Sequence, residues 1–217
     1  NQNNLKEVKS SIWMDIIFVN INSNQINFEE YIKPLEKRWS KFINKDDQKL
    51  LAHSNDYGHF DLEVKSNWKF AIENYCESYH LPTIHPELNK VSNINDHYHI
   101  NGLPNRFAGQ GSKKYEQSAK GNKKFNIFKN WDKNSLKFTE YVALFPNVML
   151  GLHLDHFYVF WLEPFATNRT KEHMQIYYVG AESANGKKFK ELRKVNSKFW
   201  KDVMLEDVKA IEGMQEG

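Results

Sequence analysis

Phe138-Thr139-Glu140-Tyr141-Val142-Ala143-Leu144-Phe145-Pro146-Asn147-Val148-Met149-Leu150-Gly151-Leu152-His153-Leu154 is the stretch whose reading decides the fold. Two β-branched and aromatic runs, Phe138–Phe145 and Val148–Leu154, flank a Pro-Asn turn pair and read as strands. Phe157–Leu162 and Met174–Val179 repeat the pattern after short links, so an antiparallel meander is expected. Upstream, Phe60, Leu62 and Val64 alternate and lead as a strand into Asn67-Trp68-Lys69, and residues 12–21 read as a buried strand. Between these strands, Tyr31, Ile32, Leu35, Trp39 and Phe42 stand at helical spacing within Phe28–Ile43, and Pro34 puts the start of the helix proper near itself. A second helix is expected from about Trp68 to Tyr79, ended by Pro82, and a last one from about Asn196 to Gln215. Residues 89–135 are rich in Asn, Lys, Gly and Ser without a period, which reads as a long lid or binding loop, with a solvated Lys-rich run at Gly111–Lys124. Strands beside two or three long helices make an α+β fold, with a curved antiparallel sheet gripping the helices.

Size and charge narrow the class. At 217 residues the chain is long enough for one sizeable core, so a single domain over 1–217 is expected. Thirty basic residues stand against 27 acidic ones, mixed along the chain rather than blocked, which argues against a nucleic-acid partner. Cys76 is the only cysteine, which excludes a disulfide framework, a Cys-rich zinc module and an iron–sulfur cluster held by this sequence alone. No apolar run approaches the ~20 residues needed to span a bilayer and no signal peptide is evident, so no membrane partner and a cytoplasmic setting are expected.

The chemistry concentrates in Glu73-Asn74-Tyr75-Cys76-Glu77-Ser78-Tyr79-His80-Leu81-Pro82-Thr83-Ile84-His85-Pro86. Two histidines and a carboxylate on one side of a metal, with the other positions open, suit a non-haem Fe(II) site. Residues five apart on an ideal helix diverge by ~140°, so the chain must bend at Pro82 to bring His85 back to His80. Glu77, three residues before His80, is placed to accept a hydrogen bond from an imidazole N–H and fix its tautomer. A carboxylate from elsewhere should complete the set. Asp207 continues the apolar stripe of Trp200, Met204, Ile211 and Met214, whereas Glu206 lies on the neighbouring stripe with Phe199, Val203 and Ala210, so periodicity prefers Asp207 only weakly. His153 and His156 form another pair near a strand turn, with His153 a candidate pocket residue. Phe157, Tyr158, Phe160 and Trp161 are expected mostly in the core. Cys76 points away from the Glu77/His80 face and reads as a small core residue.

Three stretches, ordered and spaced as they are, resemble the catalytic domain of Rieske-type non-haem iron (ring-hydroxylating) oxygenase α subunits. They are Asn67-Trp68-Lys69 with Glu73 to Pro86, Ile16-Ile17-Phe18-Val19-Asn20, and Glu206-Asp207 with Glu212, Gln215 and Gly217. The resemblance implies a helix-grip (START-like) domain with mononuclear Fe(II) on His80, His85 and Asp207. It implies that Glu77 is the acidic bridge through which electrons arrive from a neighbouring subunit's [2Fe–2S] Rieske cluster. It further implies O2 and a small organic substrate, aromatic or quaternary ammonium, a reductase or ferredoxin as electron donor, and a homotrimer. The family's Cys-x-His and Cys-x-x-His pairs are not in this sequence, so the chain is expected to be the catalytic part of a longer α subunit, without turnover on its own. The alternatives are a metal-free helix-grip module that binds a small hydrophobic ligand, and a structural or regulatory subunit.

Overall fold

In the computed structural model, which describes residues 7–21, 26–116 and 124–217, the meander is longer than the sequence suggests. The chain opens with β1 (Lys9–Trp13) and β2 (Ile16–Asn20), then α1 (Phe28–Trp39), α2 (Lys45–Lys49), β3 (Leu51–His53), β4 (His59–Val64), α3 (Trp68–Cys76), α4 (Leu81–Ile84) and α5 (Pro86–Val91). Strands β5 (His97–Leu103), β6 (Phe107–Ser112), β7 (Thr139–Leu144), β8 (Val148–Leu152), β9 (His156–Ala166) and β10 (Arg169–Val179) follow, then α6 (Ala181–Asn185) and α7 (Lys190–Glu216). Among the described residues, eight strands form one antiparallel sheet in which β5 to β10 are sequential neighbours. β3 and β4 both pair with β10 along its far edge. Residues 89–135 are therefore not one long loop: they supply β5 and β6, while 117–123, part of the Lys-rich run, lie outside the described residues.

Both faces of the sheet are covered at β7 and β8, while one face is open along β4 and the adjoining ends of β9 and β10. Val142, Leu150, Leu152, Phe157 and Val159 turn to a core shared with Leu35 and Trp39 of α1. Tyr141, Met149, Tyr158 and Phe160 turn to a core shared with Ala71 of α3 and Trp200, Val203, Met204 and Ile211 of α7. A strand buried on both sides reads as a continuous apolar run, as Val142-Ala143-Leu144 does. Met214, expected on the buried stripe of α7, is exposed. That helix starts earlier than expected, at Lys190.

Two other local readings change. Residues 12–21 do not make one buried strand: Met14 and Asp15, both at positive φ (51° and 65°), turn the chain into a β1–β2 hairpin. Trp13 is buried, while Ile12 (75% exposed) and Ile17 (68%) face outward as a cross-strand pair. Pro34 does not start its helix. Asn27 caps α1 by accepting from Glu29 N–H, and Pro34 lies inside. Arg106 donates to the Glu30 carbonyl, four residues before Pro34, where proline has no N–H to offer.

Glu140 of β7 ties α1 to the sheet. Its fully buried carboxylate accepts from Arg38 Nε and Nη2 at 2.8 Å each, from Trp39 Nε1 at 3.0 Å and from the Tyr98 hydroxyl at 2.8 Å. Removing one partner of a buried pair strands the other charge, so Glu140→Ala is expected to cost about 3–5 kcal/mol in urea unfolding. A loss below about 1 kcal/mol, as for an exposed pair, would contradict this assignment.

Candidate metal centre

The segment carrying the histidines is shaped by contacts at both ends. Asn67 is not a strand residue but the cap of α3, accepting from Lys69 N–H at 3.1 Å. Its own N–H donates to Gln215 Oε1 and that of Lys65 to Glu212 Oε1, each at 2.9 Å, so two of the motif residues of α7 clamp the start of α3. The helix stops at Cys76, before Tyr79 and well before Pro82, and Glu77 is extended at φ −123°, ψ 166°. Pro82 instead sits in the first turn of α4 and Pro86 in that of α5. Pro86 keeps His85 out of the helical region, at φ −118°, ψ 62°, so the chain kinks there and turns the imidazole inward.

His80, His85 and Asp207 converge, each offering a ligand atom within 4.8 Å of the others. Asp207 Oδ1 lies 2.9 Å from His85 Nε2 and 3.8 Å from His80 Nε2, and accepts from Asn74 Nδ2 at 2.7 Å. The opposite ring nitrogens are both occupied. His80 Nδ1 donates to Glu77 Oε1 at 2.5 Å, and His85 Nδ1 donates to Glu206 Oε2 at 2.8 Å. With Nδ1 committed to a carboxylate, each ring turns Nε2 to the shared point; in His85 that nitrogen hydrogen-bonds Asp207 Oδ1, and a metal bound there would displace its proton. Two imidazole nitrogens and one carboxylate oxygen on one side, with a pocket on the other, fit a non-haem iron centre. Glu77 meets His80 as expected, but across an extended turn rather than along one helical face; its Oε2 also accepts from the Tyr79 backbone N–H. Glu206 turns to the outer nitrogen of His85, so Asp207 is the carboxylate at the shared point. The Asn74 contact was missed in the sequence, although Ala71 and Asn74, three apart on α3, show an inward face.

Electrostatics follow from burial. Burial pulls the His85 imidazole down, but Asp207 and Glu206 together overcome it, and its pKa lies above the usual histidine value. Cys76 is half-buried rather than a core residue, and burial still pushes its thiol up to about 11, which keeps it protonated and unreactive. Glu172 of β10 is buried, and its Oε1 has no hydrogen-bond partner among the described residues. Burial first, and then the Asp207 charge, raise its carboxyl from 4.5 to about 8. Between those values the folded state holds a proton that the unfolded chain has released, so Glu172 makes stability fall as pH rises through that window. In metal-free chain, Glu172→Gln is expected to remove that fall, measured as the change in melting temperature from about pH 5 to about pH 8. An unchanged slope would contradict it.

The pocket beside the three groups is small, about 40 Å³, and open to solvent. Tyr75, Tyr141, Tyr158 and Trp200 wall it. Tyr158 fits because its cross-strand partner is Gly151: a Cβ there would lie 2.2 Å from the Tyr158 ring. His153 does not line the pocket. It stacks on His156, centroids 4.3 Å apart, behind the Trp200 wall, where Trp200 Nε1 donates to His156 Nε2 at 2.9 Å. That bond fixes His156 as the Nδ1–H tautomer, donating to Asp155 at 2.6 Å.

The sheet, the long C-terminal helix and the sequence together define the class, and the chain belongs to the family described as Ring hydroxylating alpha subunit (catalytic domain), which matches residues 51–217. Its fold is that of Rieske oxygenase catalytic domains. The quaternary ammonium Rieske monooxygenase CntA in complex with an inhibitor superposes with a TM-score of 0.73 at 18% identity, over 97% of this chain and 51% of that one. CntA with its substrate L-carnitine gives 0.69 at 18%, over 97% and 50%. Naphthalene 1,2-dioxygenase from Rhodococcus sp. bound to indole gives 0.63 at 11%, over 96% and 53%. The chain thus spans about half the length of these structures. No curated protein sequence matches it, and among the described residues no helix is long and apolar enough to cross a membrane.

Proposed function

We propose that this chain is the iron-bearing catalytic domain of a Rieske-type oxygenase α subunit, and that His80, His85 and Asp207 hold the metal. The observation that carries the reading is the convergence of two Nε2 atoms and one carboxylate oxygen at the edge of an aromatic-walled pocket, each imidazole pinned from behind by an acid. A mononuclear Fe(II) bound there would supply the activation of O2 for oxidising a C–H or C=C bond. The chain's own residues do the rest. Asn74 and the two acids orient the donors, and Tyr75, Tyr141, Tyr158 and Trp200 exclude water and present π faces to an aromatic ring or a quaternary ammonium group. Of the neighbours, CntA acts on quaternary ammonium compounds and naphthalene dioxygenase binds aromatic ones, and the pocket walls suit both classes.

Glu77 is proposed as the bridge to a [2Fe–2S] Rieske cluster in the intact protein, reduced in turn by a reductase or ferredoxin in the cytoplasm. Its side chain is one-third exposed while touching His80, and the adjacent Tyr79 is 85% exposed, so this turn presents the metal ligand's partner to an outside donor. Inter-subunit electron transfer is described for the quaternary ammonium monooxygenase. The intact protein is accordingly expected to be a homotrimer, or a multiple of one, closed by head-to-tail contacts. Light scattering measures this, and an active monomer would remove the inter-subunit route. The reading as a whole is tested by anaerobic Fe(II) titration of the chain. One equivalent bound supports it. A folded chain that binds none leaves the metal-free ligand-binding module.

A further inference from the structure

A directional chain of hydrogen bonds runs behind the turn that carries Glu77 and His80, and its donors and acceptors follow from the chemistry. Gln110 of β6 places its Nε2 on two carbonyl oxygens, Glu77 O at 2.5 Å and Tyr75 O at 3.3 Å. Carbonyls only accept, so this end of the amide is the NH2 and the other end is the oxygen. That oxygen lies 2.8 Å from His97 Nδ1, which must therefore carry the proton. His97 Nε2 lies 2.9 Å from the hydroxyl of Ser92, the residue that ends α5. Burial lowers the His97 pKa, in keeping with a neutral ring that accepts there. Ser92 is fully buried and Gln110 and His97 line the pocket.

We propose that Ser92, His97 and Gln110 form a positioning relay that stops α3 at Cys76 and holds Glu77 extended, so that the Glu77 carboxylate reaches back to His80. The last carbonyls of a helix need outside donors, and one amide supplies two of them here. Extended backbone at Glu77 is what lets Oε1 meet His80 Nδ1 while Oε2 takes the Tyr79 N–H. The relay also joins the two ligand-bearing segments, because Ser92 closes the helix whose first turn hangs from the His85 carbonyl through Asn89 N–H at 2.8 Å. His97 and Gln110 touch no ligand atom and act through the turn. The geometry stands without a metal; only the consequence for metal affinity rests on the function proposed above.

The test combines histidine-selective ¹⁵N NMR of the metal-free chain with Fe(II) titration. Wild type is expected to show His97 as the Nδ1–H tautomer and one sharp set of His80 ring signals. His97→Phe removes the donor to Gln110, and Gln110→Glu keeps the acceptor for His97 but sets a carboxylate against two carbonyls. Both are expected to broaden or split the His80 signals and to weaken Fe(II) binding by about 10–100-fold. His97→Asn, whose amide N–H stands where Nδ1–H stood, is expected to restore both. A His97 Nε2–H tautomer in wild type, unchanged His80 signals in Gln110→Glu, or failure of His97→Asn to rescue a folded chain would each overturn the relay. If wild type binds no iron the functional reading fails, while the His80 and His97 signals still decide this inference.

Discussion

Asp207→Ala is expected to abolish iron binding, whereas Glu206→Ala weakens it only by the roughly 10–100-fold that losing an outer partner costs. The two acids are neighbours on α7, so comparing them controls for helix stability and local charge. Asp207 is the hub. Its Oδ1 faces both imidazoles and takes the Asn74 amide, so its removal deletes one donor and loosens the other two. Glu206 reaches only the outer nitrogen of His85. The measurement is iron content after anaerobic reconstitution and desalting. If Glu206→Ala lost iron and Asp207→Ala kept it, the ligand assignment would be reversed.

Glu77→Gln is expected to separate metal binding from turnover. Glutamine keeps an amide oxygen that can accept from His80 Nδ1–H, so the His80 tautomer and the iron survive. The negative charge is lost, and in an enzyme carrying the Rieske domain, turnover should fall by about 10–100-fold or more. Single-turnover reduction from the cluster locates the defect at electron arrival. If Glu77→Gln lost its metal as completely as His80→Ala, Glu77 would be a ligand rather than a bridge.

What the sequence made legible tracks how locally each feature is determined. β7, β8, the first half of β9 and the last residues of β10 were readable because they are buried on both faces and their turns carry Pro146-Asn147 or Asp155, whereas the end of β9 and the start of β10 are exposed or alternate. β5 and β6 were not, because Asn101, Gly102, Gly109 and Gly111 have the composition of a loop. At Gly111 the reason lies in the partner strand, since a Cβ there would stand 2.5 Å from the Tyr98 ring. Ile12 and Ile17 looked buried for their apolarity alone, and only the pairing register turns them outward. Within the site, Glu77, His80 and His85 stood out through their spacing, whereas periodicity preferred Asp207 over Glu206 only weakly and the family resemblance supplied that assignment and the bridging role of Glu77. The end of α3 and the roles of Asn74, Glu206 and Gln110 depend on partners far along the chain. Asn74 and Asp207 are 133 positions apart, and no local pattern announces such a contact.

The most direct measurement is anomalous X-ray scattering at the iron edge from crystals of the Fe(II)-loaded chain. A single strong peak is expected, bonded to His80 Nε2, His85 Nε2 and an Asp207 oxygen at the ~2.0–2.2 Å of first-row metal ligation, with its remaining side open to the pocket walled by Tyr158 and Trp200. Iron absent from that point in a well-ordered crystal, or bound elsewhere with His80 and His85 turned apart, would contradict the account.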